Sequence, residues 1–191
     1  MICQTPMRPP SLRSFLSAAG AAAACIAASS CIYTPDVDPR PNTWAQALEV
    51  DALPNLHQVS PTLFRCAQPD DDGYRVAHDL GIRTVVNLRP GESDEGSGPE
   101  PTVIRIPVIT HDPDYEEARR FFEVVDNPAN RPVLLHCYHG ADRTGAFTAL
   151  YRINRQGWSE EEAIREMTGG DFNFHRMHTH LIDWVREAPA F

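Results

Sequence analysis

The chain has 191 residues, 42% of them hydrophobic, enough for one domain with a proper core. Its 17 Lys and Arg against 26 Asp and Glu leave a formal net charge of −9. That balance excludes a general binder of nucleic acid or anionic membrane, because no basic excess exists to release counterions. An anionic ligand would have to meet a local positive pocket.

At the N-terminus, Arg8 and Arg13 lie in a polar, proline-containing lead, and Phe15 to Ser30 then runs apolar, small and uncharged. This order is that of a secretory signal, and the run is too short and Ala-rich for a membrane span. A disordered N-terminus or a buried Ala helix is the structural alternative. Ala28-Ser29-Ser30-Cys31 resembles a bacterial lipoprotein signal, whose cysteine becomes lipidated, although the usual leucine three residues ahead is missing. Residues 1–31 are therefore expected to be a signal peptide of lipoprotein type, with simple cleavage or an uncleaved anchor as alternatives. The protein is expected to be exported, either periplasmic or membrane-anchored through Cys31, its only expected membrane contact. Pro-rich residues 32–54 read as linker, and residues 55–188 as the folded domain. Beyond the signal only Cys66 and Cys137 are left, too few for a disulfide framework.

Thr62 to Gln68 is a short strand candidate. The following DDGYRVAHDLG predicts a helix with Tyr74, Ala77 and Leu80 on one buried face and Gly81 as its stop. Ile82 to Leu88 is a β-branched run, hence a buried strand, and Arg89 to Pro101 is a loop rich in Gly, Pro, Ser and acids. TVIRIPV returns to strand. Asp112-Pro113-Asp114 then opens a helix through Val125, with Tyr115, Ala118, Phe121, Phe122 and Val125 as its apolar stripe. Pro132 to His136 is a short apolar strand, and Ala146 to Gln156 a helix closed by Gly157. Ser159 and Glu162 form a capping box for a helix to about Met167, and a last helix covers His178 to Glu187. Strands alternating with helices predict a single α/β domain with a central, mostly parallel sheet flanked by helices.

Between the last strand and the helix after it stands HCYHGADRTG, residues 136–145. Open α/β sheets bind ligands at this kind of strand-to-helix turn. Gly140 lets the backbone turn tightly, and successive N–H groups with the helix N-terminus make an anion nest. Arg143 adds a planar fork matched to phosphate oxygens. Cys137 lies beneath this cup, where the helix N-terminus and the arginine favour the nucleophilic thiolate. A Walker-type loop is excluded because its Gly-Lys-Ser/Thr ending is absent, and three neighbours in a row, His136, Cys137 and His139, cannot all face one metal ion.

The stretch resembles the signature of the cysteine-dependent protein tyrosine phosphatases, dual-specificity branch: His-Cys, five residues, Arg, Ser or Thr, here His136 to Thr144. Small bacterial members are also similar at Arg65-Cys66-Ala67-Gln68-Pro69, with cysteine for their serine. Val86 to Arg89, Gly140 to Gly145, Glu161 to Met167 and Phe174-His175 extend the likeness, which covers about Asn55 to Trp184. It implies a tyrosine-phosphatase-like fold and a phosphomonoesterase working through phosphocysteine, on a phosphorylated protein or small phosphate ester. No metal or other cofactor is implied. By the same resemblance Cys137 attacks phosphorus, Arg143 clamps the equatorial oxygens, and Tyr138, His139, Gly140, Ala141, Asp142 and Thr144 complete the substrate loop. Thr144 would hydrogen-bond the thiolate. The family's aspartic general acid maps to Asp112, since Thr110-His111-Asp112 resembles its Thr-Trp-Asp, whereas Asp114 suits a helix cap better.

Alternatives are an exported phospho-binding pseudophosphatase, a phosphoinositide or inositol phosphate phosphatase, and a rhodanese- or arsenate-reductase-like use of the same loop. Asp142 inside an anion loop is expected to turn away toward backbone or a basic neighbour, and it argues against highly phosphorylated inositols. His175, His178 and His180 share no helical face and read as satisfied or surface histidines, not a metal site. Cys66 is either a small core residue or a partner for a reversible disulfide with Cys137.

Overall fold

The computed structural model describes residues 40–91 and 101–191. The expected signal peptide, the Cys31 anchor and most of the acidic loop lie outside the described residues.

Six strands form one sheet in the order β1-β2-β3-β6-β4-β5. They are β1 (Gln46–Ala47), β2 (His57–Ser60), β3 (Leu63–Cys66), β4 (Thr84–Asn87), β5 (Thr102–Arg105) and β6 (Val133–His136). The pairs β3–β6, β6–β4 and β4–β5 are parallel, while β1 and β2 add an antiparallel edge. Five helices cover the sheet: α1 (Asp71–Asp79), α2 (Tyr115–Asp126), α3 (Asp142–Gln156), α4 (Glu160–Gly169) and α5 (His180–Arg186).

Every residue of β4 and β6 is buried, as expected of parallel strands covered on both faces. Alternation divides them. Val85 and Leu134 face a smaller core with Tyr74 and Ala77 of α1. Val86, Val133 and Leu135 face the larger core built by α2 to α5, where Phe121, Phe147 and Leu150 pack. Leu80, expected on the buried face of α1, is instead 55% exposed, because the helix ends before it and Leu80 is only the C-cap.

The linker expected through residue 54 is a correction. Trp44, Ala45 and Leu53 are buried, and Gln46–Ala47 pairs with β2. Burying one side chain of leucine size stabilises by about 1.5–3 kcal/mol, which outweighs the loop-like composition of this stretch. A buried ion pair latches the segment. Glu166 of α4 receives Arg152 of α3 on both carboxylate oxygens, at 2.7 and 2.5 Å, and also accepts the Ala45 N–H at 2.6 Å. Helix α3 also starts earlier than expected, at Asp142 rather than Ala146, so the signature itself forms its first turn. The outcome is a sheet that places the end of β6 at its centre, opening into the N-terminus of α3.

Candidate active site

Residues 137–141 form the loop between β6 and α3, and Cys137 at its start is only 2% exposed. His136 steadies the floor. Its Nδ1 lies 3.1 Å from the Cys137 carbonyl, which can only accept, so Nδ1 carries the proton and Nε2 takes the Tyr74 hydroxyl at 3.4 Å. Gly140 has φ of 68°, and a Cβ there would sit 2.4 Å from the Cys66 carbonyl oxygen. Only glycine allows both that conformation and that approach of the loop to the end of β3.

The cup above the sulfur is built from three directions. Helix α3 has no side-chain cap at Ala141, so its first N–H groups are presented toward the loop. Arg143 Nη1 donates to the carbonyls of Leu88, at 3.2 Å, and Val108, at 3.4 Å, which orients the guanidinium from the far side. Beneath the loop, Arg65 of β3 is fully buried and donates through Nη2 to the Gly140 carbonyl at 2.6 Å. Its guanidinium lies 3.8 Å above the Phe172 ring. Burial lowers the Arg65 pKa to about 10, opposed by Glu166 and Cys137. Arg65 opens the Arg65-to-Pro69 stretch, yet the sequence alone assigns it no role. Nothing local marks it, because its partner is distant in the chain.

A pocket of about 480 Å³ opens over the cup, lined by Arg89, Ile109, Tyr138, His139, Asp142 and Arg143 among others. Arg89 lies 5.1 Å from the Tyr138 ring centroid, giving the rim an aromatic edge. Thr110 and His111 also line the pocket, and Asp112 is the next residue, exposed at the turn closed by its N–H on Ile109. His180 of α5 holds this loop through Nε2 on the Thr110 carbonyl, 2.7 Å. Asp114 is committed elsewhere. It caps α2 in a full capping box with Glu117.

One detail of the predicted loop differs from its expectation. Thr144 Oγ1 is buried and has no hydrogen-bond partner among the described residues, so the expected bond to the Cys137 sulfur is not made. Its hydroxyl is carried on the first turn of α3, where the helix direction, not the thiol, decides its orientation. Asp142 does turn to a basic neighbour. Its carboxylate accepts the His175 backbone N–H and its ring Nδ1, both at 2.8 Å. Tyr138, His139, Gly140 and Ala141 all lie in the loop as expected.

The histidines form a row, with ring centroids 6.2 Å apart for His175 and His178 and 5.7 Å for His178 and His180. Ligand atoms converge instead at His139, Asp142 and His175, all within 4.8 Å of one another. Burial lowers the pKa of His139, reinforced by His175 and Arg143 and opposed by Asp142. Burial likewise lowers His178.

The family model of a DSP-PTPase phosphatase fused to NAD+ kinase matches residues 49–180. This chain belongs to the DSP-PTPase phosphatases. The phosphatase is 37% identical over 155 residues to the dual specificity protein phosphatase TpbA of Pseudomonas aeruginosa strain UCBPP-PA14, covering 80% of this chain and 67% of that one. TpbA of strain PAO1 is equally similar, with 66% of its length covered. The crystal structure of P. aeruginosa TpbA superposes with a TM-score of 0.69 at 34% identity, over 78% of this chain and 93% of the other. A TpbA variant solved in complex with pTyr gives 0.66 at 32% identity, over 78% and 92%. The catalytic core of the PP-IP phosphatase Siw14 from S. cerevisiae shares the fold, at a TM-score of 0.64 and 20% identity over 74% and 89%. The enzyme is thus a cysteine-dependent phosphatase of the protein-tyrosine-phosphatase type.

Proposed function

We propose that this phosphatase hydrolyses phosphotyrosine and related phosphomonoesters through a phosphocysteine on Cys137. The observation that carries the reading is Cys137 buried at the floor of a loop whose Arg143 is pinned by two carbonyls and whose helix N-terminus is uncapped. The Cys137 sulfur attacks phosphorus while the bond to the leaving oxygen breaks. Asp112 gives that oxygen its proton. Water then attacks the phosphocysteine, Asp112 takes the water's proton, and phosphate leaves with the thiolate restored. Charge on the equatorial oxygens meets the loop N–H groups and the Arg143 fork throughout. Thr144, buried without a partner, offers a hydroxyl beside the reacting sulfur's loop.

An aromatic ester is favoured by the rim, where Tyr138 is 55% and Ile109 41% exposed beside the pocket. A densely phosphorylated inositol is disfavoured by Asp142 on the pocket wall and by the absence of lysine, since all 17 basic residues are arginine. Purified enzyme in excess chelator should hydrolyse a small aryl phosphate and a phosphotyrosine peptide, and Cys137→Ser should abolish both. Phosphate binding without any turnover by the wild type would make it a phospho-binding protein instead. Preference for inositol phosphates or phosphoinositides across a substrate panel would move it to that class.

The apolar run ending at Cys31 supports export, with lipidation at that cysteine as the anchor. Membrane fractionation of cells expressing the full chain tests this. Cys31→Ala should release the enzyme from the membrane, and wild-type enzyme confined to the cytoplasm would refute it.

A further inference from the structure

Asp142 is an odd wall for a phosphate pocket, because a carboxylate there repels the anion the pocket is built to hold. Its surroundings explain what it can attract. Asp142 is 6% exposed and is fixed by two hydrogen bonds from His175, so neither position nor orientation is left to solvent. His139 closes the group from the other side, its ring centroid 5.0 Å from that of His175. Each of the three offers one ligand atom, and these atoms lie within 4.8 Å of one another. They come from three separate elements: the loop, the first residue of α3, and the residue before the short turn at Arg176–His178. A cluster assembled across elements is rigid to the extent that the fold is rigid.

We propose that His139, Asp142 and His175 form a binding site for a Zn²⁺-class divalent ion on the wall of the phosphate pocket, and that an ion there closes the pocket to substrate. Two imidazoles and one carboxylate are the donor set of tetrahedral zinc with one position left open. Magnesium and calcium are poorly served, since both require more oxygen ligands than the group supplies. His139 and Asp142 line the pocket, so an ion held by them would lie at the wall of the space a substrate phosphate enters. The Asp142 carboxylate supplies the anionic ligand of the set. The ion is not a catalytic cofactor. It competes with the substrate, and only this blocking effect rests on the phosphatase reading.

The test separates the two. In Cys137→Ser protein, which lacks the competing thiolate, titration with Zn²⁺ against a chromophoric chelator should show one tight site, and Co²⁺ should give a tetrahedral visible spectrum. His175→Ala and His139→Ala should each weaken binding at least about tenfold, while His78→Ala on α1 should leave it unchanged. Circular dichroism melts establish that each variant is folded. No stoichiometric site, or equal affinity in folded His139→Ala and His175→Ala proteins, overturns the site. In Cys137-containing enzyme, His175→Ala should raise the inhibitory Zn²⁺ concentration for aryl phosphate hydrolysis at least about tenfold. Unchanged sensitivity would assign the inhibition to Cys137 and overturn the blockade. Absence of any turnover would refute the phosphatase reading while the titration still reports on the metal.

Discussion

Arg65 donates a 2.6 Å hydrogen bond to the carbonyl of Gly140, tying the centre of the sheet to the turn of the phosphate loop from below. The guanidinium has no solvent exposure, and its Nε and Nη1 have no hydrogen-bond partner among the described residues. A charge held this way is costly to bury, so its main use is in shaping the loop. Arg65→Met should therefore lower kcat/KM for aryl phosphate at least about tenfold. The Gly140 carbonyl loses its donor, at about 1–3 kcal/mol, which the relief of a buried charge partly offsets. Thermal melts and steady-state kinetics check this together. Full activity in the variant would show that the loop holds its shape unaided.

Asp112 and Asp114 stand two residues apart and should fail differently. Asp112→Ala should slow a poor leaving group by about 10²–10⁴ and an activated aryl phosphate much less, because only the poor one needs a proton. Its melting temperature should not move, since this exposed side chain caps nothing. Asp114→Ala removes the α2 cap and should cost about 1 kcal/mol of stability with the leaving-group dependence intact. Leaving-group dependence in Asp114→Ala would reverse the assignment.

His57 predicts the acid limb of stability. Buried at 6% exposure against Phe172, its pKa is pushed down from 6.5 to about 4, chiefly by burial, with Arg65 adding to the effect and the Asn55 carbonyl opposing it. Between those values the unfolded chain binds the proton that the folded chain refuses. Stability is therefore full above about pH 6.5 and falls as pH drops toward 4, by at most about 3 kcal/mol. Urea melts from about pH 7 down to about pH 4 should show this slope, and His57→Phe should flatten it. An equal slope in both proteins would place the acid sensitivity elsewhere.

Cys66 should be chemically silent. It is fully buried, and burial pushes its thiol far above the ordinary range, with Cys137 adding to the rise. Iodoacetamide should label it only in denaturant, and Cys66→Ser should recover from peroxide and reductant as the wild type does. A Cys66–Cys137 linked peptide from peroxide-treated native protein would show that the pair forms a reversible disulfide.

What local order decides was legible in the residues alone. The alternation of strands and helices, the Gly157 stop with φ of 71°, the Ser159 cap and the HCYHGADRTG turn all depend on neighbours within a few positions, and all are present. The nucleophile and its arginine were readable for the same reason, since one strand-to-helix turn carries both. The tertiary structure decided everything that depends on which strands lie side by side. The adjacency β3-β6-β4 brings Arg65 under Gly140 and Leu88 behind Arg143, pairs no periodicity encodes because hydrophobic patterning specifies a face and not a neighbour. Trp44 and Ala45, in a stretch with the composition of a linker, are buried because Glu166 and the α4 surface are there to receive them. Asp142 meets His175 across 33 positions in sequence, and that meeting, not either residue's type, turns a scattered set of histidines into a site.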